Sequence, residues 1–460
     1  MRPIFDILAS ELGAAKVLRD EARLEAYARD ESGLGPFPPE AAVLADSVEE
    51  IQLVLRLADE HRVPVVPRGL GTGMTGGALA THGGIVLSTE RMQRIKEIDP
   101  ADLVAVVEPG VITGVLQDAA EAVGLFYPPD PASLAMCSLG GNVAENAGGP
   151  RAFKYGVTRE YVIGLETVLM GGTRLRPGRR TAKGVTGYDV VGLFCGSEGT
   201  FGVTSEITLK LLPRPQGVAL LLAVFADPVK AGEAITAIIR KGYRPRALEL
   251  MDRASIDHVR PKATYPIPAG AGAIVICELD GDEAALAPAV ERCAQACDES
   301  GATEVVIAAD EAQRRRLWET RRITSPSLRH AHRYKVSEDI CVPRSAIAEM
   351  LRRVDKIGAR HDLLMATFGH AGDGNLHVNV LTDEDHREAS VAARIQGALG
   401  DIFKDTLALR GTLSGEHGIG IAKQKYMPWE QAPELIEVQK KLKLTLDPHN
   451  LLNPGKIFPI

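Results

Sequence analysis

The chain has 460 residues, too many for one ordinary hydrophobic core, so two or three domains are expected. Hydrophobic residues make up 45% and charged residues 25%, the balance of a globular protein. A formal net charge of -7 gives no basic surface of the kind nucleic acid needs, which excludes nucleic acid as an expected partner.

Residues 3 to 30 carry apolar residues at helical spacing (Ile4, Leu8, Leu12, Val17) and predict a docking helix without chemistry. Asp6 and Glu11 interrupt any signal-peptide core, and the longest apolar run, Val218 to Ala226, is far short of the ~20 residues a membrane-spanning helix requires. The cysteines at 137, 195, 277, 293, 297 and 341 contain no CxxC pair and read as reduced, mostly buried thiols, with no iron–sulfur cluster on this chain. The expected location is cytoplasmic, with peripheral attachment at a membrane as the alternative.

Ala41 to Leu44 reads as a short strand. Ser47 then opens a helix with Glu50 three residues on, a capping box, and Ile51, Val54, Leu55 and Ala58 form its buried stripe. Val63 to Pro67 returns as a strand and runs into Arg68-Gly69-Leu70-Gly71-Thr72-Gly73-Met74-Thr75-Gly76-Gly77. Glycine at this density lets backbone N–H groups line a concave nest that binds pyrophosphate. No Gly-Lys-Ser/Thr follows, so it is not a P-loop, and the strand Ile85 to Leu87 follows where a Rossmann fingerprint would open a helix.

A second concentration covers Tyr127 to Ser133 and Leu139 to Gly149, where small residues alternate with amide side chains suited to a large planar ligand. A third is Gly187-Tyr188-Asp189 with Gly196-Ser197-Glu198-Gly199-Thr200-Phe201-Gly202, leading into a strand from Thr204 to Leu212. Three such loops imply one extended ligand. From about Pro215 the pattern becomes ordinary, with strands at Ala219 to Phe225 and Ala273 to Glu278 and helices at Pro228 to Lys241 and Glu283 to Ser300. Cys293 and Cys297 share a face of the second helix and read as packing. Arg314 to Arg322 is a basic helical run.

Chemistry concentrates at Gly369-His370-Ala371-Gly372-Asp373-Gly374-Asn375-Leu376-His377-Val378-Asn379-Val380 and Ser414-Gly415-Glu416-His417-Gly418. Two imidazoles flank a Gly-Asp-Gly turn, and period-2 alternation puts His377 and Asn379 on one strand face. Imidazole, imidazole and carboxylate suit zinc, manganese or iron, with a position left open for substrate. A histidine starting a strand is equally read as a hydrogen-bonded structural residue, and spacing leaves that choice open.

These segments, in this order and ending with Leu446-Asp447-Pro448-His449-Asn450-Leu451-Leu452-Asn453-Pro454-Gly455-Lys456, resemble the flavoproteins of the vanillyl-alcohol oxidase and para-cresol methylhydroxylase superfamily. Within it the chain is similar to the branch of glycolate oxidase flavoprotein subunits, D-lactate dehydrogenases and D-2-hydroxyglutarate dehydrogenases. The resemblance implies an α+β fold, with a two-subdomain FAD-binding domain (residues 1–214), a substrate or cap domain with an antiparallel sheet and helices on one face (215–425), and a C-terminal segment returning to the first domain (426–460). It places Gly69, Gly71, Thr72 and Gly73 on the FAD pyrophosphate, Asp130, Ser133, Gly141, Asn142 and Gly148 around the flavin and ribityl chain, Glu198 and Gly199 nearer the adenine, and Asn453 among the cofactor contacts. Thr72 stands where covalently flavinylated members have His, so FAD is expected to be noncovalent. Arg321, rather than Arg322, and Lys335 are implied as contacts of the substrate carboxylate. His370, His377 and Glu416 are implied as ligands of a divalent metal, Asn379 and His417 as facing the substrate.

The implied reaction is FAD-dependent oxidation of a D-2-hydroxy acid of the lactate, glycolate or 2-hydroxyglutarate class, with metal-assisted loss of the hydroxyl proton to His417 and hydride transfer to flavin N5. A homo-oligomer, and an electron acceptor or iron–sulfur partner subunit, complete the expectation. The alternatives are a noncatalytic flavin subunit of an electron-transfer complex and a metallohydrolase; the latter leaves the glycine loops unexplained.

Overall fold

The computed structural model describes residues 4–459. The chain divides into two compact units, one of Met1–Gly149, Gly156–Arg214 and Glu416–Ile460, the other of Pro150–Tyr155 and Pro215–Gly415. These stand beside the 1–214, 215–425 and 426–460 segments that the resemblance implies.

In the first unit, β1 (Val17–Leu18), β2 (Ala41–Leu44), β3 (Val65–Arg68) and β4 (Ile85–Ser88) form a sheet in the order β1-β2-β4-β3, with β4 parallel to both β2 and β3. The helix Val48–His61 makes the crossover that parallel pairing demands, and its Ile51, Val54, Leu55 and Ala58 are fully buried with Val43, Val65 and Leu87. Ser47 Oγ accepts from the Glu50 amide at 3.3 Å, as the capping box predicts. The Glu50 carboxylate instead takes the Asp46 amide at 2.9 Å and pairs with Lys16, so the reciprocal half of the box moves one residue upstream.

The N-terminal stretch is not one helix. The helix Ile4–Leu12 ends before Val17, whose pairing opposite Val43 buries it more fully than a helical surface position would, and Asp20 caps a separate turn Glu21–Leu24. Further along lie β5 (Ile95–Asp99), β6 (Val104–Val107), β7 (Leu125–Phe126), β8 (Val162–Val168), β9 (Arg174–Leu175), β10 (Val203–Lys210) and β11 (Leu212–Pro213). Five of them make an antiparallel sheet, β5-β6-β10-β8-β9, while β7 and β11 pair as a ribbon.

The second unit is built on one seven-stranded antiparallel sheet of β12 (Gly217–Phe225), β13 (Ala247–Asp252), β14 (Ala273–Gly281), β15 (Glu304–Ile307), β16 (Tyr334–Cys341), β17 (Leu364–Gly369) and β18 (Asn375–Thr382), in the order β15-β12-β14-β13-β17-β18-β16. Four long helices, Pro228–Arg240, Glu283–Glu299, Ile347–His361 and Ala389–Ala408, pack against one another and the sheet, the layer that alternation predicts. Cys293 and Cys297 are buried there beside Cys277. Three shorter helices, Arg253–Val259, Glu311–Arg322 and Thr324–Ala331, add cover elsewhere, burying Ile256, Leu317 and Leu328 with Leu222, Ile276 and Phe368. Glu311–Arg322 buries only Leu317 and Thr320, too few for periodicity to reveal a packing face.

Register positions the chemistry. Met251 lies opposite Phe368, Phe368 opposite His377, and His377 opposite Asp339, so one sheet face carries these side chains across β13, β17, β18 and β16.

Candidate active site

In the second unit a buried hydrogen-bond network centres on Glu249 of β13, whose side chain is fully buried. Its Oε2 accepts from Arg321 Nε at 2.8 Å, and its Oε1 lies 2.7 Å from His370 Nδ1. A carboxylate on Nδ1 fixes the tautomer in which His370 Nε2 carries the lone pair. Holding Arg321 through Nε leaves the two terminal guanidinium nitrogens as a fork for a carboxylate, and the guanidinium lies 4.6 Å from the Phe368 ring centroid. Arg322, one position on, is exposed.

The His370 and His377 rings meet edge to face with centroids 5.2 Å apart. The turn between them is tight. Gly374 sits at φ +86°, where a Cβ would come within 2.0 Å of the Val342 carbonyl, so the Gly-Asp-Gly sequence is a steric requirement. His377 Nδ1 is 3.9 Å from Asp339 Oδ1, and Asp339 is held by Asn375 Nδ2, by Ser414 Oγ at 2.8 Å and by the Gly415 amide at 2.8 Å. Asn379 is fully buried; its Nδ2 donates to the Ala366 and His377 carbonyls at 3.0 Å each, and its Oδ1 accepts nothing from the described residues. Lys335 Nζ donates to Ser325 Oγ at 2.8 Å, and burial, with Arg329 adding to it, lowers its ammonium to about 8.

In the first unit, among the described residues, no backbone N–H from Gly69 to Gly77 donates to a protein acceptor. A run of loop amides without protein acceptors, those of Thr75 to Gly77 in buried residues, is the donor set a pyrophosphate takes. The loop packs closely, for a Cβ on Gly69 would stand 2.3 Å from Ser138 Oγ. Thr75 Oγ1, within the same loop, donates to the His417 carbonyl at 3.1 Å. Gly148 of the second glycine concentration lies against Glu416, where a Cβ would meet Oε2 at 2.9 Å. Glu198 of the third accepts the Ile419 and Gly420 amides at 2.8 and 2.7 Å. Asn453 Nδ2 bridges the Gly77 carbonyl (3.1 Å) and the Glu198 carbonyl (2.7 Å), with its buried Oδ1 left without a hydrogen-bond partner among the described residues. All three glycine-rich loops, the C-terminal motif and the Glu416–His417 pair, with 3.8 Å between carboxylate and ring, therefore converge within this unit.

The remaining predicted residues take more structural places. Asn142 is buried with Nδ2 donating to Thr113 Oγ1 at 2.7 Å, and Gly141 donates its amide to Ser138 Oγ at 3.3 Å. The Ser133 carbonyl accepts from Met136 and Cys137 at 2.7 and 2.8 Å. Asp130 is buried against Gly149. The Glu198 carboxylate points to backbone amides and shares its burial with Glu145; burial raises the pKa of both, and their mutual repulsion raises Glu145 further. The sequence marks none of Glu249, Asp339 and Glu145 by a motif. Its available signal for Glu249 was an acid inside the apolar strand Ala-Leu-Glu-Leu-Met.

The orphan amides, the glycine cradle and the Asn453 oxygen fit a dinucleotide, and the carboxylate-backed His370 fits a metal ligand. None of the described helices is long and apolar enough to cross a membrane. Residues 39–178 match the family model described as FAD binding domain, and residues 214–457 match that of FAD linked oxidases, C-terminal domain. The chain is 41% identical to the glycolate oxidase subunit GlcD of Bacillus subtilis, over 91% of this chain and 89% of that protein. It is 33% identical to a D-lactate dehydrogenase of Anaerostipes hadrus (97% and 95% covered) and 33% identical to a D-2-hydroxyglutarate dehydrogenase of Stutzerimonas stutzeri (99% and 98% covered). Its fold is that of p-cresol methylhydroxylase, with a TM-score of 0.81 at 18% identity over 99% of this chain and 96% of the other. The chain thus belongs to the FAD-linked oxidases, as an oxidoreductase of the glycolate oxidase, D-lactate dehydrogenase and D-2-hydroxyglutarate dehydrogenase group.

Proposed function

We propose that the protein oxidises a D-2-hydroxy acid of the lactate, glycolate or 2-hydroxyglutarate class to the 2-oxo acid. The observation that carries this reading is the single buried carboxylate, Glu249, that orients both a guanidinium fork and an imidazole. Such a pairing suits a substrate with a carboxylate next to an oxidisable hydroxyl. Noncovalent FAD, held by the Gly69 to Gly77 amides, supplies the hydride acceptor, and a divalent ion at His370, His377 and Glu416 supplies acidity at the hydroxyl.

The chain's own groups do the rest. Arg321 and Lys335 hold the carboxylate and so fix which face of the 2-carbon is presented. Asn379 offers its buried Oδ1 as an acceptor that orients the hydroxyl. His417, whose backbone is tied to Thr75, takes the hydroxyl proton. Relatives bearing the name of a subunit support a partner chain as the onward electron acceptor.

Anaerobic titration of the FAD-loaded chain with D- and L-2-hydroxy acids tests the reading. Bleaching of the flavin by a D-acid and not by its L-enantiomer is expected. A flavin that no 2-hydroxy acid reduces would leave the chain as an electron-transfer subunit without this chemistry.

A further inference from the structure

The second unit also contains a cleft of about 730 Å³ that none of the proposed substrate contacts lines. Its walls come from the end of the helix Pro228–Arg240, the turn after β16, the Gly-Asp-Gly turn and the segment Arg410 to Thr412. They carry three guanidiniums, those of Arg240, Arg344 and Arg410, against one carboxylate, Asp373. Among the described residues none of the three is in an ion pair, although arginines such as Arg180, Arg353 and Arg394 on the same protein each engage two or more carboxylates. Arg344 rests instead with its guanidinium 5.0 Å from the Phe153 ring centroid, a stacking that positions the group without neutralising it. Ser345 and Thr412 add hydroxyls to the lining.

Three unneutralised guanidiniums around a concavity on a chain of net charge -7 are a local reversal of sign, and planar forks select carboxylate and phosphoryl oxygens. The volume lies within the range of small-molecule sites. We propose that this cleft binds a small organic polyanion, one bearing two or more carboxylate or phosphoryl groups, at a site separate from that of the 2-hydroxy acid. The walls connect to the catalytic network. Cys341 and Thr412 exchange backbone hydrogen bonds at 3.1 and 2.8 Å, and two residues beyond Thr412 begins the Ser414-Gly415 grip on Asp339. Cys341 Sγ contacts the carbonyl of Asp373, inside the turn that spaces His370 from His377.

The test is calorimetric titration of the FAD-loaded full chain with pyrophosphate, citrate and acetate at constant ionic strength. Saturable binding of pyrophosphate or citrate at one equivalent per chain is expected, with acetate failing to saturate. The arm that binds more tightly distinguishes a phosphoryl from a carboxylate ligand. The double substitution Arg344→Gln/Arg410→Gln should weaken binding on the order of tenfold or more and leave flavin content and basal turnover unchanged. Arg321→Gln, which alters the proposed substrate contact, should leave it intact. No saturable binding of either polyanion, binding that survives the double substitution, or binding lost in Arg321→Gln would each overturn the proposal.

Discussion

Replacing Glu249 by Gln isolates the group that ties the Arg321 guanidinium to the His370 imidazole. The substitution keeps the volume of a fully buried side chain, so no cavity forms, but an NH2 replaces one of two acceptor oxygens and then faces either Arg321 Nε or His370 Nδ1. A hydrogen bond to a charged group contributes about 1.5–3 kcal/mol, and breaking a buried ion pair by removing one partner costs about 3–5 kcal/mol. Gln keeps the bond to Arg321 Nε only as a neutral acceptor, and its NH2 bonds Nδ1 only by forcing the His370 proton onto Nε2; loss of the charged pair places the destabilisation at roughly 2–4 kcal/mol. Loss of an outer carboxylate behind a metal-binding histidine typically lowers metal affinity or activity by about 10–100-fold, and kcat/KM should fall by that order while flavin content stays unchanged. Urea unfolding followed by far-UV circular dichroism measures the first quantity, and steady-state kinetics with flavin absorbance the second. A variant with wild-type midpoint and kcat/KM within about twofold would refute the assignment of Glu249 as orienting group.

His417→Ala is expected to retain FAD and nearly abolish reduction of the flavin by substrate; stopped-flow reduction at the wild-type rate would remove His417 from the role of base. Because burial lowers the Lys335 ammonium to about 8, its cation is present below that pH and lost as pH rises through it, so KM should climb above pH 8 by up to about tenfold per unit. Lys335→Arg should move that limb upward, and a KM that stays flat in the wild type for about two units above pH 8 would exclude Lys335 from the carboxylate contact. Lys443→Met should destabilise the first unit by about 3–5 kcal/mol, because it strands the fully buried Asp447 carboxylate and frees the Thr200 and Leu452 carbonyls that Nζ now binds; an unchanged unfolding midpoint would contradict this.

Local pattern carried most of the fold. The stripe Ile51, Val54, Leu55, Ala58 and the apolar runs that became β12 and β14 are read from periodicity because their burial depends on neighbours along the same element. Val17 escaped because its burial comes from a strand that follows it by more than twenty positions, at Val43. The same physics divides the candidate site. His370 and His377 announce themselves within eight residues of sequence, whereas Glu249 stands 121 positions before His370 and 72 before Arg321, and no pattern along the chain connects them.

The residues proposed to touch ligand are imidazoles and a glycine nest, types whose chemistry is recognisable where they stand. Groups that aim them, such as Glu249, Asp339 and Asn375, need only reach the right nitrogen from whichever strand passes nearby, and any buried carboxylate or amide at the correct register will serve. The choice between Arg321 and Arg322 shows the difference. In a helix holding Arg314, Arg315, Arg316, Arg321 and Arg322, charge alone cannot select one guanidinium. Selection comes from the single buried acid across the fold that only Arg321 reaches, leaving Arg322 to solvent.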